Sequence, residues 1–199
     1  MKFIPHNSFS YLPIKNRILS PFSFLARCQN ESIIDQIINY NAAGLDLRIR
    51  FNQNGEPVIA HGLISYDGDI YDLLKCVSMM VEYNHISDFS ARVMLETTFL
   101  MDSTEYDRQK YEFKKFCKKI QVLYNHINFW GGWSRREWRK KIYDFRTKEP
   151  EMTEMHGSVS GNKLWCLNLK GFARKYNTEL TDNCKTEYFM GDYINWKDL

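Results

Sequence analysis

Residues 44–62 read Gly44-Leu45-Asp46-Leu47-Arg48-Ile49-Arg50-Phe51-Asn52-Gln53-Asn54-Gly55-Glu56-Pro57-Val58-Ile59-Ala60-His61-Gly62, with polar and apolar residues alternating around an Asn-Gly pair. This pattern predicts a β-hairpin, because a two-residue type I′ turn needs positive φ at both central positions. With Asn54 and Gly55 in the turn, Arg48 faces His61, and Asp46 is the diagonal neighbour on the same face. A carboxylate, a guanidinium and an imidazole on one face predict a functional site.

The composition is that of a globular protein, and we assign residues 1–199 to a single domain. The net charge of +3 suits an anionic substrate or a membrane surface but is too small to indicate nucleic acid. The five cysteines show no CxxC spacing, so they predict neither a zinc site nor a disulfide framework. No signal peptide or membrane-spanning run is visible, and the expected location is cytoplasmic.

Beyond the hairpin, the apolar pattern predicts strands that alternate with helices. Helices are predicted at residues 30–40, 68–83, 104–124, 135–143 and 163–176, and strands at residues 2–4, 91–97, 127–132, 152–158 and 187–194. Such alternation indicates βα units around a parallel sheet. We therefore expect an α/β fold, in the form of a small, distorted TIM barrel with some helices missing, since the chain is short for a complete one.

Several polar residues fall at the ends of these strands. His6 and Asn7 follow the first strand, Glu96 ends a central one, and Asp192 lies in the last. Because the C-terminal strand ends of a βα barrel share one face, we expect these residues to meet the hairpin there. Two histidines beside an Asp-Arg pair suit phosphodiester cleavage, in which one imidazole takes a proton from the attacking hydroxyl and the other protonates the leaving oxygen. Arg48 would bind two phosphate oxygens.

The sequence also resembles the phosphatidylinositol-specific phospholipase C and glycerophosphodiester phosphodiesterase-like superfamily, whose members fold as distorted TIM barrels. The matching segments lie mainly in the first half of the chain and are Pro5-His6-Asn7-Ser8, Gly44-Leu45-Asp46-Leu47-Arg48, His61-Gly62 and Leu95-Glu96. The second segment resembles the Asp-x-Arg of the metal-independent bacterial phospholipases. The resemblance implies a phosphodiesterase acting on a phosphoinositide or glycerophospholipid-type headgroup.

The resemblance also implies roles for individual residues. His6 would be the general base and His61 the general acid, with Asp46 in the catalytic set. Asp192 would orient the base, and Arg48, Asn7 and Glu96 would contact the substrate.

The resemblance leaves two forms of the site open. In the metal-dependent branches an acidic residue stands where this chain has Arg48, so we expect no metal cofactor. The alternative is Ca²⁺ or Mg²⁺ held by oxygen atoms of Asn7, Asp46 and Glu96, which resemble the remaining ligands of the calcium branch.

Three of the candidate residues also have an ordinary structural interpretation. Asp46 and Arg48 would then be an ion pair on a hairpin face, and Glu96 a structural partner of Arg48. The functional alternative is a catalytically inactive barrel that binds a phosphorylated headgroup or a partner.

Residues 130–141 mix tryptophans with basic residues. We expect them to form an amphipathic helix packed on the barrel, and the alternatives are peripheral membrane contact and stacking on nucleic acid.

Overall fold

The computed structural model describes residues 2–16, 18–19, 21, 26–98, 100–133, 145, 150–155, 168–195 and 197. These residues contain eight strands and four helices. In chain order they are β1 (Lys2–Pro5), α1 (Ile33–Ile38), β2 (Gly44–Phe51), β3 (Pro57–His61), β4 (Ile64–Ser65), α2 (Ile70–Tyr83), β5 (Ser90–Leu95), α3 (Ser103–Leu123), β6 (Asn128–Trp133), β7 (Met152–Met155), α4 (Leu169–Asn183) and β8 (Tyr188–Gly191).

The described strands pair as two sheets instead of one closed ring. One sheet has the order β1-β8-β7 with parallel pairing throughout, and the other has the order β4-β3-β2-β5-β6. In the second sheet β2, β5 and β6 are parallel, whereas β2, β3 and β4 form an antiparallel meander. The α/β class and the parallel pairing of the strands that alternate with helices are therefore confirmed.

Two backbone hydrogen bonds of 2.9 Å connect the sheets, from Ala43 N–H to the Phe3 carbonyl and from Ser8 N–H to the Asp46 carbonyl.

The predicted hairpin exists, but its turn differs from the two-residue turn expected. Asn52 N–H donates to the Glu56 carbonyl at 3.0 Å, which leaves three residues in the loop. Gly55 closes the loop with φ +77°, as a three-residue hairpin requires. The Asn52 side chain accepts from the N–H groups of Asn54 and Glu56, both at 2.9 Å, and so stabilises the longer loop.

This extra loop residue shifts the register of the hairpin by one position. Ile49 pairs with Ile59, and the pairing of β2 with β3 ends there. The predicted pairing of Arg48 with His61 is therefore wrong. A one-residue shift moves a side chain to the other face of a regular sheet.

Two helices match their predicted positions and two do not. The predictions for α2 and α3 are confirmed. The first helix begins after Ser32, whose hydroxyl accepts from Asp35 N–H, and not after Asn30 as predicted. Similarly, α4 begins later than predicted, after Asn168, whose side chain accepts from Gly171 N–H at 2.9 Å. The predicted helix 135–143 and the last residues of the predicted strand 152–158 lie outside the described residues.

The apolar face of β2 forms the centre of the hydrophobic core. Leu45, Leu47 and Ile49 are fully buried and pack with the apolar faces of α2 and α3. The opposite face of β2 carries Asp46 and Arg48, which are also buried, so polar groups lie inside the fold. In the part of the chain that is described, no helix has both the length and the apolar character needed to cross a membrane.

Candidate active site

The ends of two parallel strands bring His6 and Asp192 together. Pro5 of β1 pairs with Gly191 of β8, and the next residue of each strand is a site residue. His6 Nδ1 lies 2.6 Å from Asp192 Oδ1, and both side chains are buried. Asp192 thus follows β8, whereas the sequence placed it inside the last strand. The short contact holds the imidazole ring and directs its other nitrogen, Nε2, away from Asp192.

Asp46 is fully buried and is held by several donors and charges. Its Oδ2 accepts from Asn7 N–H and from Arg48 Nε, both at 2.9 Å. Asn7 has φ 46°, a left-handed conformation that asparagine tolerates. Burial by itself would raise the pKa of Asp46, but the charges of Arg48, Arg92 and His6 and the Asn7 hydrogen bond outweigh burial and hold the pKa well below its usual value. Asp46 is therefore an anion at neutral pH.

Arg48 lies between two carboxylates. Besides its bond to Asp46, its Nη1 lies 3.7 Å from Glu96 Oε2. Burial favours the neutral guanidine, yet these two carboxylates raise the pKa of Arg48 above its usual value. Glu96 follows β5, and its Oε1 accepts from Gly62 N–H at 2.9 Å. Glu96 thereby connects Arg48 to the backbone next to His61.

His61 reaches the site although the hairpin register differs from the prediction. Beyond Ile59 the strand leaves β2, and His61 pairs with Ile64 of β4 instead. The rings of His61 and His6 meet edge to face, with centroids 5.7 Å apart and an interplanar angle of 89°. His61 Nδ1 lies 3.2 Å from the Ala26 carbonyl. His61 is half-buried whereas His6 is 3% exposed, so the more accessible side of the histidine pair is that of His61.

Gln29, in the segment between β1 and α1, holds the ends of β1 and β8 in place. Gln29 is fully buried, and its Nε2 donates to the carbonyls of His6 and Gly191 at 3.1 and 3.2 Å. Its Oε1 accepts from Ile194 N–H at 2.8 Å. One side chain therefore fixes the residues on both sides of the His6–Asp192 contact.

The chain is similar to known proteins in its structure and not in its sequence. No protein-family model and no curated protein matches the sequence. The structure is similar to the phosphatidylinositol-specific phospholipase C of Listeria monocytogenes, with a TM-score of 0.59 and 12% identity over 99% of this chain and 90% of that one. It is also similar to two structures of the Staphylococcus aureus phosphatidylinositol-specific phospholipase C, with TM-scores of 0.62 and 0.59, identities of 11% and 9%, and coverage of 96% of this chain and 85% of those.

The chain has a phospholipase C-like fold. The resemblance seen in the sequence is confirmed at the level of the fold.

Within this phospholipase C-like fold, the proposed calcium or magnesium ligands do not fit a cation. The carboxylates of Asp46 and Glu96 lie on either side of the Arg48 guanidinium. Arg48 thus places its positive charge between the two carboxylates that would bind the ion, and it would repel a cation there. Asn7 uses its backbone N–H, a donor, toward Asp46.

Sequence reasoning missed Arg92, which faces Asp46 from the next strand. Arg92 of β5 is in register with Asp46, and its Nε lies 3.9 Å from Asp46 Oδ1. Its Nη1 lies 2.8 Å from Glu154 Oε1, so a carboxylate of β7 balances its charge. It is buried, with its guanidinium 5.6 Å from the Trp130 ring centroid. The available signal was a charged residue in the middle of an otherwise apolar strand, since such residues are buried only when paired.

Sequence reasoning also missed Cys28. Its Sγ lies 3.9 Å from His61 Nδ1, although the two residues are 33 positions apart. Burial, and after it the charge of Asp192, raise the pKa of the Cys28 thiol well above its usual value. No local pattern could have selected this cysteine from the five, because only the fold brings it to the histidines.

Proposed function

We propose that this protein cleaves a phosphodiester in a phosphoinositide or glycerophospholipid-type headgroup, with His6 as general base and His61 as general acid. The phospholipase C-like fold supports this reaction class. The observation that carries the proposal is the pair of imidazole rings that meet edge to face with centroids 5.7 Å apart, one of which is held by Asp192 at 2.6 Å. We also infer that the two sheets are parts of one distorted TIM barrel of residues 1–199, since backbone bonds connect β1 to β2.

The contact with Asp192 supports His6 as the base. A carboxylate on Nδ1 fixes the tautomer that carries its proton there, and leaves the Nε2 lone pair to accept the proton of the attacking hydroxyl. The ring becomes a cation in that step, and the contact with the Asp192 carboxyl group stabilises it. His61 is the more exposed ring, which suits an acid that protonates a leaving alcohol on its way to solvent.

Arg48 is proposed to bind the phosphate. Its hydrogen bond to Asp46 uses Nε, and Nη1 lies 3.7 Å from Glu96 Oε2, beyond hydrogen-bond distance, so the terminal nitrogens can still meet phosphate oxygens. Asp46 and Glu96 hold the guanidinium in place from two sides. A charge fixed in this way before the substrate arrives stabilises the negative charge that builds up on the phosphoryl oxygens in the transition state.

The nucleophile depends on the substrate. A headgroup with a hydroxyl next to the phosphate would be attacked by that hydroxyl, which gives a cyclic phosphate. A headgroup without one would be attacked by water. The second candidate function is a barrel that binds the phosphorylated headgroup without cleaving it, and the burial of His6 favours it, because substrate must reach a ring that is 3% exposed.

A panel of phosphodiesters tests the proposal. Phosphatidylinositol in vesicles, a glycerophosphodiester and a chromogenic diester are incubated with the protein, with and without a chelator. We expect turnover of at least one of them, and the chelator should not lower it. The His61→Ala variant should lose it, whereas His126→Ala, a half-buried histidine that contacts Ser78 and Glu82 instead, should keep it. Headgroup binding without turnover in the wild type would favour the second candidate, and full activity in His61→Ala would refute the acid assignment.

A further inference from the structure

A group of potential metal ligands lies inside the site, and the phosphodiester mechanism does not use all of it. One ring nitrogen of His6, one of His61 and the sulfur of Cys28 lie within 4.8 Å of one another. Cys28 Sγ is 3.9 Å from His61 Nδ1. The three residues come from three separate segments: the end of β1, the loop before α1, and the end of β3.

We propose that His6, Cys28 and His61 form a binding site for one zinc-type cation. Two imidazoles and one thiolate are ligands that Zn²⁺ prefers, and three protein ligands with water in the fourth position is a common arrangement. In a tetrahedral site with bonds of about 2.0–2.3 Å, the ligand atoms are about 3.3–3.8 Å apart. The observed separations approach these values, so movements of about 1 Å or less would complete the site.

The surroundings of His6 match those of a metal-binding histidine. Its Nδ1 is bound to Asp192 at 2.6 Å, so Nε2, which lies 3.9 Å from Asp46 Oδ2, would be the ligand atom. Histidine ligands in proteins usually hold a carboxylate through the second nitrogen in this way, because the contact fixes the ring and strengthens the metal bond. The same contact that would activate His6 as a base thus prepares it as a ligand.

The chemistry of the donors excludes a hard cation as the preferred occupant. Ca²⁺ and Mg²⁺ take oxygen ligands, whereas sulfur and imidazole select zinc and similar metals. Asp46 is not counted as a ligand, since its Oδ2 already accepts from Asn7 N–H and Arg48 Nε. When the metal binds, the Sγ–metal bond replaces the Sγ–H bond, and the thiol proton is released to solvent.

This inference goes beyond phosphodiester cleavage and does not depend on it. If the protein is a phosphodiesterase, a bound metal would inhibit it, because both imidazoles would bind the metal and neither would be left to transfer a proton.

Cobalt substitution tests the site directly. Co²⁺ takes the place of Zn²⁺, and a cobalt–thiolate bond gives a charge-transfer absorption band that cobalt bound to nitrogen and oxygen alone does not give. The metal-free, reduced chain of residues 1–199 is titrated with Co²⁺ and then with Zn²⁺. We expect one Co²⁺ per chain, a thiolate band, and loss of that band when Zn²⁺ is added. Wild-type protein that gives no thiolate band would overturn the proposal.

Three variants assign the ligands. Cys28→Ser should lose the thiolate band and bind Co²⁺ at least about ten-fold more weakly. His61→Ala, at a half-buried position, should keep a thiolate band but also bind about ten-fold more weakly. Cys76→Ser changes a partly buried cysteine on α2 and should behave like the wild type. A band that persists in Cys28→Ser, or disappears in Cys76→Ser, would place the thiolate elsewhere and refute the assignment.

The metal site and the proposed function can fail separately. A thiolate band in a protein that turns over no phosphodiester supports the metal site and counts against the enzyme. If the protein is active, Zn²⁺ should inhibit it, and at least about ten-fold more Zn²⁺ should be needed for Cys28→Ser, measured against that variant's own metal-free rate. Equal sensitivity of both proteins to Zn²⁺ would refute the metal site while leaving the enzyme proposal intact.

Discussion

Replacing Asp46 by asparagine tests whether this carboxylate holds the polar interior together. Asp46 is fully buried; its Oδ2 accepts two hydrogen bonds of 2.9 Å, and Arg92 Nε lies 3.9 Å from its Oδ1. The Asp46→Asn variant keeps the size of the side chain and one acceptor oxygen. It removes the negative charge, so among the described carboxylates the buried guanidinium of Arg48 keeps the more distant Glu96, at 3.7 Å.

The expected loss is about 3–5 kcal/mol in the free energy of unfolding, the usual result of removing one partner of a buried ion pair. The asparagine oxygen can still accept from Asn7 N–H and Arg48 Nε, so the expected loss comes from the missing negative charge and not from these two bonds. A natural domain has about 5–15 kcal/mol in total, so the variant should lose at least about a fifth of its stability.

Chemical denaturation followed by circular dichroism measures the effect. The control is Glu187→Gln, which breaks an exposed ion pair with Lys2 at 2.8 Å and should cost less than about 1 kcal/mol. In a double variant, Arg48→Met removes the guanidinium that Asp46→Asn leaves uncompensated, and should recover part of the loss. A cost for Asp46→Asn no larger than that for Glu187→Gln would refute the argument.

The pH dependence gives a second readout of the same residue. The pKa of Asp46 is lower in the folded protein than in the unfolded chain, so the unfolded chain takes up the proton first as pH falls. The contribution of Asp46 is therefore fully present above about pH 4 and decreases below it. Wild-type stability should fall more steeply below about pH 4 than that of Asp46→Asn, and parallel curves would contradict the prediction.

Three further predictions concern the site and the fold. Asp192→Asn should lower kcat by about 10²–10⁴-fold with little change in KM. It should also move the acid limb of the pH–rate profile to lower pH, because the carboxylate that stabilises the protonated His6 ring is gone. An unchanged profile would show that Asp192 does not position the base. Arg48→Lys keeps the charge but loses the bidentate hydrogen-bond donor, so kcat/KM for a phosphodiester should fall about 10²-fold. A fall of less than about two-fold would refute the proposed role of Arg48 in binding the phosphate. Gly131→Ala should destabilise the fold by at least about 2 kcal/mol in denaturation, because Gly131 has φ +133° and a Cβ there would collide with the Val93 backbone. The control is Gly62→Ala, which should cost less because Gly62 has φ +59° and open space around it. Equal costs would contradict the steric argument.

The sequence predicted the kind of fold well because that information is local. Alternating periodicities fix whether a segment is a strand or a helix, and a βα order implies parallel strands. The helices α2 and α3 and the parallel strands follow from this. The polar residues at strand ends were also visible, because His6 and Glu96 each come directly after an apolar run.

The hairpin shows where local information ends. Its Asn-Gly pair correctly indicated a turn, but the side chain of Asn52 stabilises a loop that is one residue longer. The predicted pairing of Arg48 with His61 was therefore wrong, and yet His61 lies beside His6 because β3 leaves β2 after Ile59. That departure depends on the pairing of β3 with β4, and not on the turn.

Only the tertiary structure decided which side chains meet. The contact between His6 and Asp192 joins residues 186 positions apart, and it exists because β1 and β8 pair in parallel and end at the same level. Arg92 meets Asp46 because β2 and β5 pair in parallel, and Cys28 reaches His61 from the loop before α1. The sequence alone predicted most of the described elements and named most of the candidate residues, since these depend on near neighbours along the chain. The geometry of the site depends on pairings between distant segments, which no local pattern records.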